Sequence, residues 1–248
     1  MINKYTGRPL VAILLCTVFW QTSAAQSIVP DTTYYASALK NNQQLYNSGI
    51  GYQSRLVNGR QYFYYERLYT GDAYYMGYEW RPADIDYDGV IYNNVQMLYD
   101  VYKDIVVVQL PNKEDNYSLS SAKLSRFTLL GHTFIRIDAD TANVDFKPGF
   151  YDLLYAGKTL ALAKTIKTLQ NTGSQITDKS FVEEKSYFLK YKGIYYEVGS
   201  EGAALKVFKN KKKELQQYIK SNGVKFRRDP EQAIVKIAAY YDHLTDQI

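Results

Sequence analysis

The sequence predicts an α+β fold, in which a curved, half-barrel-like antiparallel β-sheet of roughly eight to ten strands carries a C-terminal helical hairpin. Turn signals recur every roughly 8–12 residues through the middle of the chain, which is typical of a meander of hairpin-connected strands. Beyond residue 200 the apolar residues repeat with helical spacing instead. The tyrosine-rich stretch at residues 58–80 is a third indication, because we interpret it as the inside of a β-sheet, where the rings pack and the hydroxyls reach the wet rim.

The N-terminal residues have the pattern of a secretory signal peptide rather than of a folded element. Lys4 and Arg8 precede an apolar run at residues 9–20, and small residues, Ser23 and Ala25, follow it. This run is too short for a permanent membrane span. We therefore expect residues 1–25 to be cleaved near Ala25, and the mature chain to be periplasmic or secreted.

Cys16 is the sole cysteine, and it lies inside the predicted signal. Leu14 and Leu15 precede it where a lipid-acceptor site needs small residues, which disfavours lipidation. The predicted mature chain then has no disulfide, thiolate metal site or cysteine nucleophile.

Loss of the two signal-peptide cations lowers the formal charge from +5 by two, to +3, which is not the charge of a dedicated nucleic-acid binder. No later stretch has the length and apolarity of a transmembrane helix.

Three further segments follow the signal. Residues 26–57 are predicted to form an N-terminal arm with a short helix at 32–46. Residues 58–199 are predicted to form the antiparallel β domain, and residues 200–248 the helical hairpin packed on the sheet. The expected strands, in chain order, are 61–69, 73–80, 105–110, two across 127–137 with a bend at Gly131, 150–155, 159–169, 186–191 and 194–198. The expected polar loops are 112–121, 138–148 and 170–185.

The C-terminal helices are predicted from caps and spacing. The first begins near Ala203 and stops at Asn222-Gly223, because glycine commonly follows the last helical turn. The second opens at Asp229-Pro230, with Asp as the N-cap and Pro at the first helical position. Its apolar positions repeat at helical intervals, and they are Ile234, Ile237, Ala238 and Tyr241.

The aromatic stretch at residues 58–80 has two interpretations. Alternation of Tyr74, Met76, Tyr78 and Trp80 predicts a strand with one buried face. The preceding segment has rings at both alternating sets of positions, which indicates a strand covered on both faces. We favour a core role, with tyrosine hydroxyls at the wet rim. The alternative is an exposed platform for a carbohydrate or a lipid.

Two motifs that resemble ligand sites are incomplete. Asp84, Asp86 and Asp88 precede Gly89 in the spacing of the first half of a calcium loop, but Val95 occupies the position of the closing glutamate. A β-turn is the favoured interpretation, and the three carboxylates remain a weak calcium candidate. The two histidines, His132 and His243, have no predicted metal partner, so no metal site and no cofactor is expected.

A basic segment spans residues 206–228, with nine cationic residues and one acid, Glu214. On a continuous helix, four lysines would share one side, while Phe208, Leu215 and Ile219 would lie opposite. The lysines are Lys206, Lys209, Lys213 and Lys220. They are either the solvated face of an amphipathic helix or a contact for an anionic surface. Asn210 is a position that could interrupt this helix.

Several segments of the chain resemble a group of uncharacterised secreted proteins of Gram-negative bacteria. The segments that carry the resemblance are 58–62, 87–90, 149–155, 187–196, 215–222 and 233–242, whose shared residues are turns, core aromatics and helix caps. The resemblance covers most of the predicted mature chain. It implies export and a common fold, and it transfers no catalytic residue.

Two histidines, no mature cysteine and no recognisable nucleophile lead us to expect a non-enzymatic, envelope-associated binding or accessory protein. It would bind an envelope component or a protein partner through the concave face of the sheet or through the basic helix. One alternative is a hydrolase or isomerase with a carboxylate–tyrosine site, for which Asp86, Asp88 and His132 are the candidates. The other is a periplasmic lipid carrier with a large dry cavity lined by Tyr, Leu and Val.

Overall fold

The computed structural model describes residues 37–38, 41–42, 56, 59–65, 69–109, 116–139, 146–174 and 178–246. The chain divides into two compact units, Met1–Leu39 and Lys40–Ile248. In the first unit the described residues are Ser37 and Ala38, which are helical. The predicted signal peptide, Cys16 and nearly all of the predicted arm lie outside the described residues. All elements named below belong to the second unit.

One large antiparallel sheet dominates this unit, which confirms the predicted fold class. The strands are β1 (Arg60–Gln61), β2 (Arg81–Tyr87), β3 (Val90–Asp100), β4 (Ile105–Gln109), β5 (Asn116–Ser118), β6 (Leu124–Leu129), β7 (His132–Ile137), β8 (Gly149–Ala156), β9 (Leu160–Asn171), β10 (Lys179–Tyr191) and β11 (Ile194–Glu197). Their order in the sheet is β1-β5-β4-β3-β2-β6-β7-β8-β9-β10-β11. Most neighbours are therefore also consecutive in the chain, as the turn spacing predicts.

Tight turns set the register of the hairpins. Asp88-Gly89 connects β2 to β3, and both residues have positive φ angles, 53° and 75°. Leu130-Gly131 connects β6 to β7 in the same way, with φ angles of 52° and 82°. Two consecutive positive φ angles are the signature of a type I′ turn, whose twist matches that of the strands it joins.

The C-terminal part contains three α-helices. They are α1 (Glu201–Val207), α2 (Lys212–Ser221) and α3 (Pro230–Asp246). The single helix expected from Ala203 is interrupted by a 3₁₀ turn at Lys209–Lys211, which contains Asn210. The start of α3 is as predicted, because the Asp229 side chain accepts a hydrogen bond from the Gln232 N–H at 3.0 Å.

Two principal cores lie along the sheet. One is built from the inner side chains of the strands from β2 to β8, including Ile85, Phe127 and Phe134. The other lies between the last strands and the helices, and it buries Leu189 together with the predicted apolar face of α3. Burial of Ile234, Ile237, Ala238 and Tyr241 confirms the helical spacing.

A short segment of the chain shows how strongly the sheet is curved. Residues 70–75, which we call the strap, bond to β10 at one end and to β3 at the other. The Thr70 N–H donates to the Lys179 carbonyl at 2.9 Å, and the Tyr75 N–H donates to the Tyr99 carbonyl at 2.8 Å. In a flat sheet six strand spacings would separate β3 from β10 by about 29 Å. Because the strap reaches at most about 18 Å, the sheet must curl until these strands approach each other.

Candidate functional site

An aromatic cleft of about 350 Å³ opens beside the strap. Its aromatic lining is Tyr64, Tyr65, Tyr69, Tyr74, Tyr78 and Phe181, and its remaining lining is Gly71, Asp72 and Ala73. The volume lies at the lower end of the range of small-molecule sites, and such sites are mostly lined by apolar and aromatic groups with a few polar ones. The strap therefore contributes to the wall of a ligand-sized recess.

The rings of the cleft hold one another in place. Tyr78 contacts Tyr64 edge-on at 5.5 Å between ring centroids, and it contacts Tyr74 at 5.2 Å. Phe181, from β10, contacts Tyr65 edge-on at 5.3 Å and Tyr69 at 6.1 Å. Edge-to-face packing at these distances is favourable for aromatic pairs. It leaves Tyr64 and Tyr78 42% and 51% exposed, so both rings can still meet a ligand.

A buried carboxylate holds two tyrosine side chains of this region in place. Asp100, at the end of β3, is 0% exposed. Its Oδ2 accepts hydrogen bonds from the hydroxyls of Tyr62 at 2.9 Å and of Tyr65 at 2.6 Å. Its Oδ1 accepts from the Lys103 N–H at 2.9 Å. Three donors therefore satisfy the carboxylate, as a buried charged group requires.

Burial and neighbouring carboxylates keep these tyrosines protonated. Burial raises the pKa of Tyr74 to about 12, and it also raises the pKa of Tyr62 and of Tyr65. The hydroxyls of Tyr62 and Tyr65 donate hydrogen bonds to Asp100, and the Tyr74 hydroxyl lies 3.1 Å from the Tyr62 hydroxyl. Because their hydroxyls are protonated, these three tyrosine side chains carry no net charge.

A lysine lies under the strap at the edge of the cleft. The Lys167 ammonium, from β9, donates to the Tyr74 carbonyl at 2.6 Å and to Asp72 Oδ1 at 3.2 Å. It also lies 3.8 Å from the Glu183 carboxylate of β10. One cation thus holds the strap to the sheet and lies between two carboxylates near the cleft.

The prediction for the strand at 73–80 is wrong. Tyr74 is buried, but Met76 and Tyr78 are exposed, because positive φ angles of 58° at Met76 and 103° at Gly77 turn the chain and end the alternation. The expected strand at 61–69 is also not formed in its described part: β1 ends at Gln61, and Tyr62–Tyr65 lie outside any strand. The aromatic stretch therefore supplies both core rings and cleft rings.

The three aspartates of the incomplete calcium loop do not surround a common point. Asp84 and Asp86 lie on β2, where Asp84 Oδ1 accepts from the Asn94 N–H at 3.0 Å. Asp88 lies in the turn, 3.4 Å from the Lys123 ammonium. Across the described residues, no group of three His, Cys, Asp or Glu side chains has a geometry suited to a metal ion.

His132 pairs with a carboxylate that sequence reasoning missed. Its Nδ1 lies 2.6 Å from Oδ2 of Asp152, which is 4% exposed, and the Tyr75 ring packs edge-on at 5.8 Å. Burial raises the pKa of Asp152, and the His132 partner opposes that shift. The histidine thus satisfies a buried carboxyl group, and it does not line the cleft.

The hypothesised trio of Asp86, Asp88 and His132 is not brought together. In the register of β2 and β6, Asp86 lies opposite Arg126, so their side chains share one face of the sheet. The adjacent Phe127 points to the other face, into the core. Phe127 lies opposite Phe134 in β7, and His132 shares that face because it is two residues before Phe134. Side chains of consecutive residues in a strand point to opposite faces, so Asp86 and His132 lie on opposite sides of the sheet. These residues therefore do not form one catalytic site.

The predicted lysine face is exposed but not continuous. Lys206, Lys209, Lys213 and Lys220 are all exposed, while the apolar residues opposite them are buried. The 3₁₀ turn between α1 and α2 breaks the helix, so the four lysines do not form the single row expected of one helix.

A second concave region, which we call the basic groove, lies where the α2–α3 connection meets β10. It has a volume of about 970 Å³. Its charged lining is Lys185, Lys220, Lys225, Arg227 and Glu201. Lys185 is paired with Glu231 of α3. Within the described part of the chain, no carboxylate lies within 4.0 Å of the ammonium or guanidinium nitrogens of Lys220, Lys225 and Arg227.

No helix among the described residues has the length and apolarity needed to cross a bilayer. Comparisons of the chain with protein-family models, with curated proteins and with solved structures give no match.

Proposed function

We propose that the protein is a non-enzymatic, envelope-associated binding protein that holds a sugar ring of a glycan in the aromatic cleft. The observation that carries this proposal is the pair of exposed rings, Tyr64 and Tyr78, at the mouth of a ligand-sized recess. Sugar rings have an apolar face of C–H groups that packs on an aromatic ring, and hydroxyls that hydrogen-bond at its rim. Asp72 and the tyrosine hydroxyls supply such partners.

We also propose a location for the protein, in the periplasm or outside the cell. The N-terminal signal pattern and the resemblance to secreted proteins of Gram-negative bacteria support a periplasmic or secreted protein. A glycan-binding protein in that location would meet envelope polysaccharides. The lipid-carrier alternative requires a dry cavity, and neither the cleft nor the basic groove has a purely apolar lining.

The cleft is tested with ring deletions on the full chain. We expect Tyr78→Ala to weaken binding to the best ligand from a printed oligosaccharide array at least tenfold, because aromatic residues in desolvated pockets commonly contribute about 2 kcal/mol or more on truncation. Tyr64→Ala is expected to act in the same direction. Titration calorimetry of each variant against that oligosaccharide measures the effect.

Phe63→Ala is the matched control. Phe63 is adjacent to Tyr64 in the chain and is 72% exposed, but it does not line the cleft. Equal losses from Phe63→Ala and Tyr64→Ala would contradict the proposal, as would an array without any bound oligosaccharide. Mass spectrometry of the oligosaccharide after incubation tests the non-enzymatic part: a cleaved or isomerised product would favour the enzyme alternative.

A further inference from the structure

Two concave regions of this protein lie on one face of one strand. β10 pairs with β9 without a bulge from Lys179 to Lys190, so its side chains alternate regularly between the two faces. Phe181 lines the aromatic cleft, and Lys185 and Tyr187 line the basic groove. These positions differ by even numbers, so all three side chains lie on the same face. The cleft and the groove therefore follow each other along β10.

The distance between them suits one extended ligand. Phe181 and Lys185 are four residues apart, which corresponds to about 13 Å along a strand, and Tyr187 lies about 7 Å farther. Glu183 is the residue between them, and its side chain is 52% exposed. The Glu183 side chain, which lies between the two regions, is therefore accessible to solvent.

The backbone along this stretch can also serve a hydroxyl-rich ligand. The Phe181 N–H donates away from β9, to the Thr70 carbonyl at 3.0 Å. The Tyr187 carbonyl also points away from β9, and it accepts from the Val198 N–H at 2.8 Å. Because this direction repeats every second residue, Glu183 and Lys185 direct their N–H and C=O groups toward the same edge. β11 pairs with residues 188–191, and among the described residues no strand pairs with that edge at Glu183 and Lys185.

The balance of charged side chains differs between the cleft and the basic groove. Near the cleft, Lys167 lies between Asp72 and Glu183, so one positive charge meets two negative charges and no positive charge is in excess. In the basic groove Lys220, Lys225 and Arg227 outnumber Glu201, while Glu231 neutralises Lys185. The cleft end thus suits a neutral ring, and the groove end suits an anionic group.

We propose that the ligand is an acidic glycan, which places a neutral sugar ring in the aromatic cleft and a carboxylate, sulfate or phosphate group in the basic groove, roughly 13–20 Å away along β10. This inference rests on the proposed function, since it names the class of glycan that the cleft would hold. Guanidinium and ammonium groups bind such anions through charge-assisted hydrogen bonds. Lys220, Lys225 and Arg227 are exposed residues that line a concave region, and a chain-like ligand can follow such a region.

The test uses matched ligands and matched variants of the full chain. The ligands are hexasaccharides of galacturonate, alginate and hyaluronan, each beside its methyl-esterified form, which keeps the sugar and removes the charge. We expect at least one acidic form to bind about tenfold more tightly than its ester, and we expect added salt to reduce the difference. Lys225→Gln with Arg227→Gln should abolish that preference.

Lys209→Gln with Lys213→Gln is the control, because it removes the same charge from exposed residues outside the groove. Equal binding of every acid and its ester would overturn the acidic-glycan inference and leave the cleft proposal standing, provided that Tyr78→Ala still weakens binding. Equal losses from both double variants would also overturn it, since net charge alone would then explain the preference. Binding of phosphatidylglycerol vesicles without binding of any oligosaccharide would overturn both proposals.

Discussion

Asp100→Ala should destabilise the protein by about 3–5 kcal/mol. The substitution removes the acceptor of three donors: the buried hydroxyl of Tyr62, the half-buried hydroxyl of Tyr65 and the Lys103 N–H. Each hydrogen bond to a charged group is worth about 1.5–3 kcal/mol, and a buried donor without a partner adds a desolvation cost. Urea unfolding followed by circular dichroism measures the change in free energy.

Asp138→Ala is a suitable comparison for this variant. Asp138 pairs with Arg136 at 3.0 Å, but its side chain is 81% exposed, and surface pairs contribute at most about 1 kcal/mol. A loss of less than about 1 kcal/mol in Asp100→Ala would show that the Tyr–Asp network does not hold this end of the sheet. Asp100→Asn should lose an amount of stability between those of Asp100→Ala and Asp138→Ala. Its amide keeps one acceptor oxygen, but it places an N–H donor where the tyrosine hydroxyls already donate.

Alkaline pH should unfold the protein steeply. Burial raises the pKa of Tyr62, Tyr75 and Tyr99 in the folded state above the value of 10.0 that these groups have when exposed. Between the two pKa values the unfolded chain releases protons that the folded chain retains, so rising pH favours unfolding. The stability is complete below pH 10 and decreases above it, by about 1.4 kcal/mol per pH unit for each such tyrosine.

Three buried tyrosines together contribute a slope that approaches about 4 kcal/mol per pH unit by about pH 11. Urea unfolding at a series of pH values from about 9 to 11.5 measures this slope. Tyr99→Phe should lower it by about one proton, or about 1.4 kcal/mol per pH unit, although the variant also loses the hydrogen bond to Asp104 at neutral pH. An unchanged slope in Tyr99→Phe would show that this hydroxyl does not contribute to the pH dependence.

The sequence correctly predicted those elements that depend only on residues close together in the chain. The Asp229 cap and the apolar repeat through Tyr241 are contained within α3, and the structure has both. The Asp88-Gly89 turn likewise requires only the conformations of its own residues. The first half of β10 was missed for the opposite reason: Glu183 and Lys185 face a polar surface instead of the core, so its inner positions show no apolar alternation.

The aromatic cleft was visible in the sequence only as an excess of rings. Which rings are buried depends on the strap, whose partners on β3 and β10 are distant in sequence. Phe181, which completes the cleft, lies in a segment predicted to be a loop. Asp152, the partner of His132, was missed because their pairing depends on the register of β7 and β8. Side-chain periodicity has no information on such long-range contacts.

The strap also has a consequence for how the chain folds. Most strands pair with a sequence neighbour, so most of the sheet can form through short loop closures, which are fast. The bond from Thr70 to Lys179 instead joins residues 109 positions apart, and it requires β3 and β10 to be in place already. The ring-lined recess can then assemble only after these two strands are in place. A folding intermediate without the strap would contain nearly all of the β-structure and would lack the ligand site.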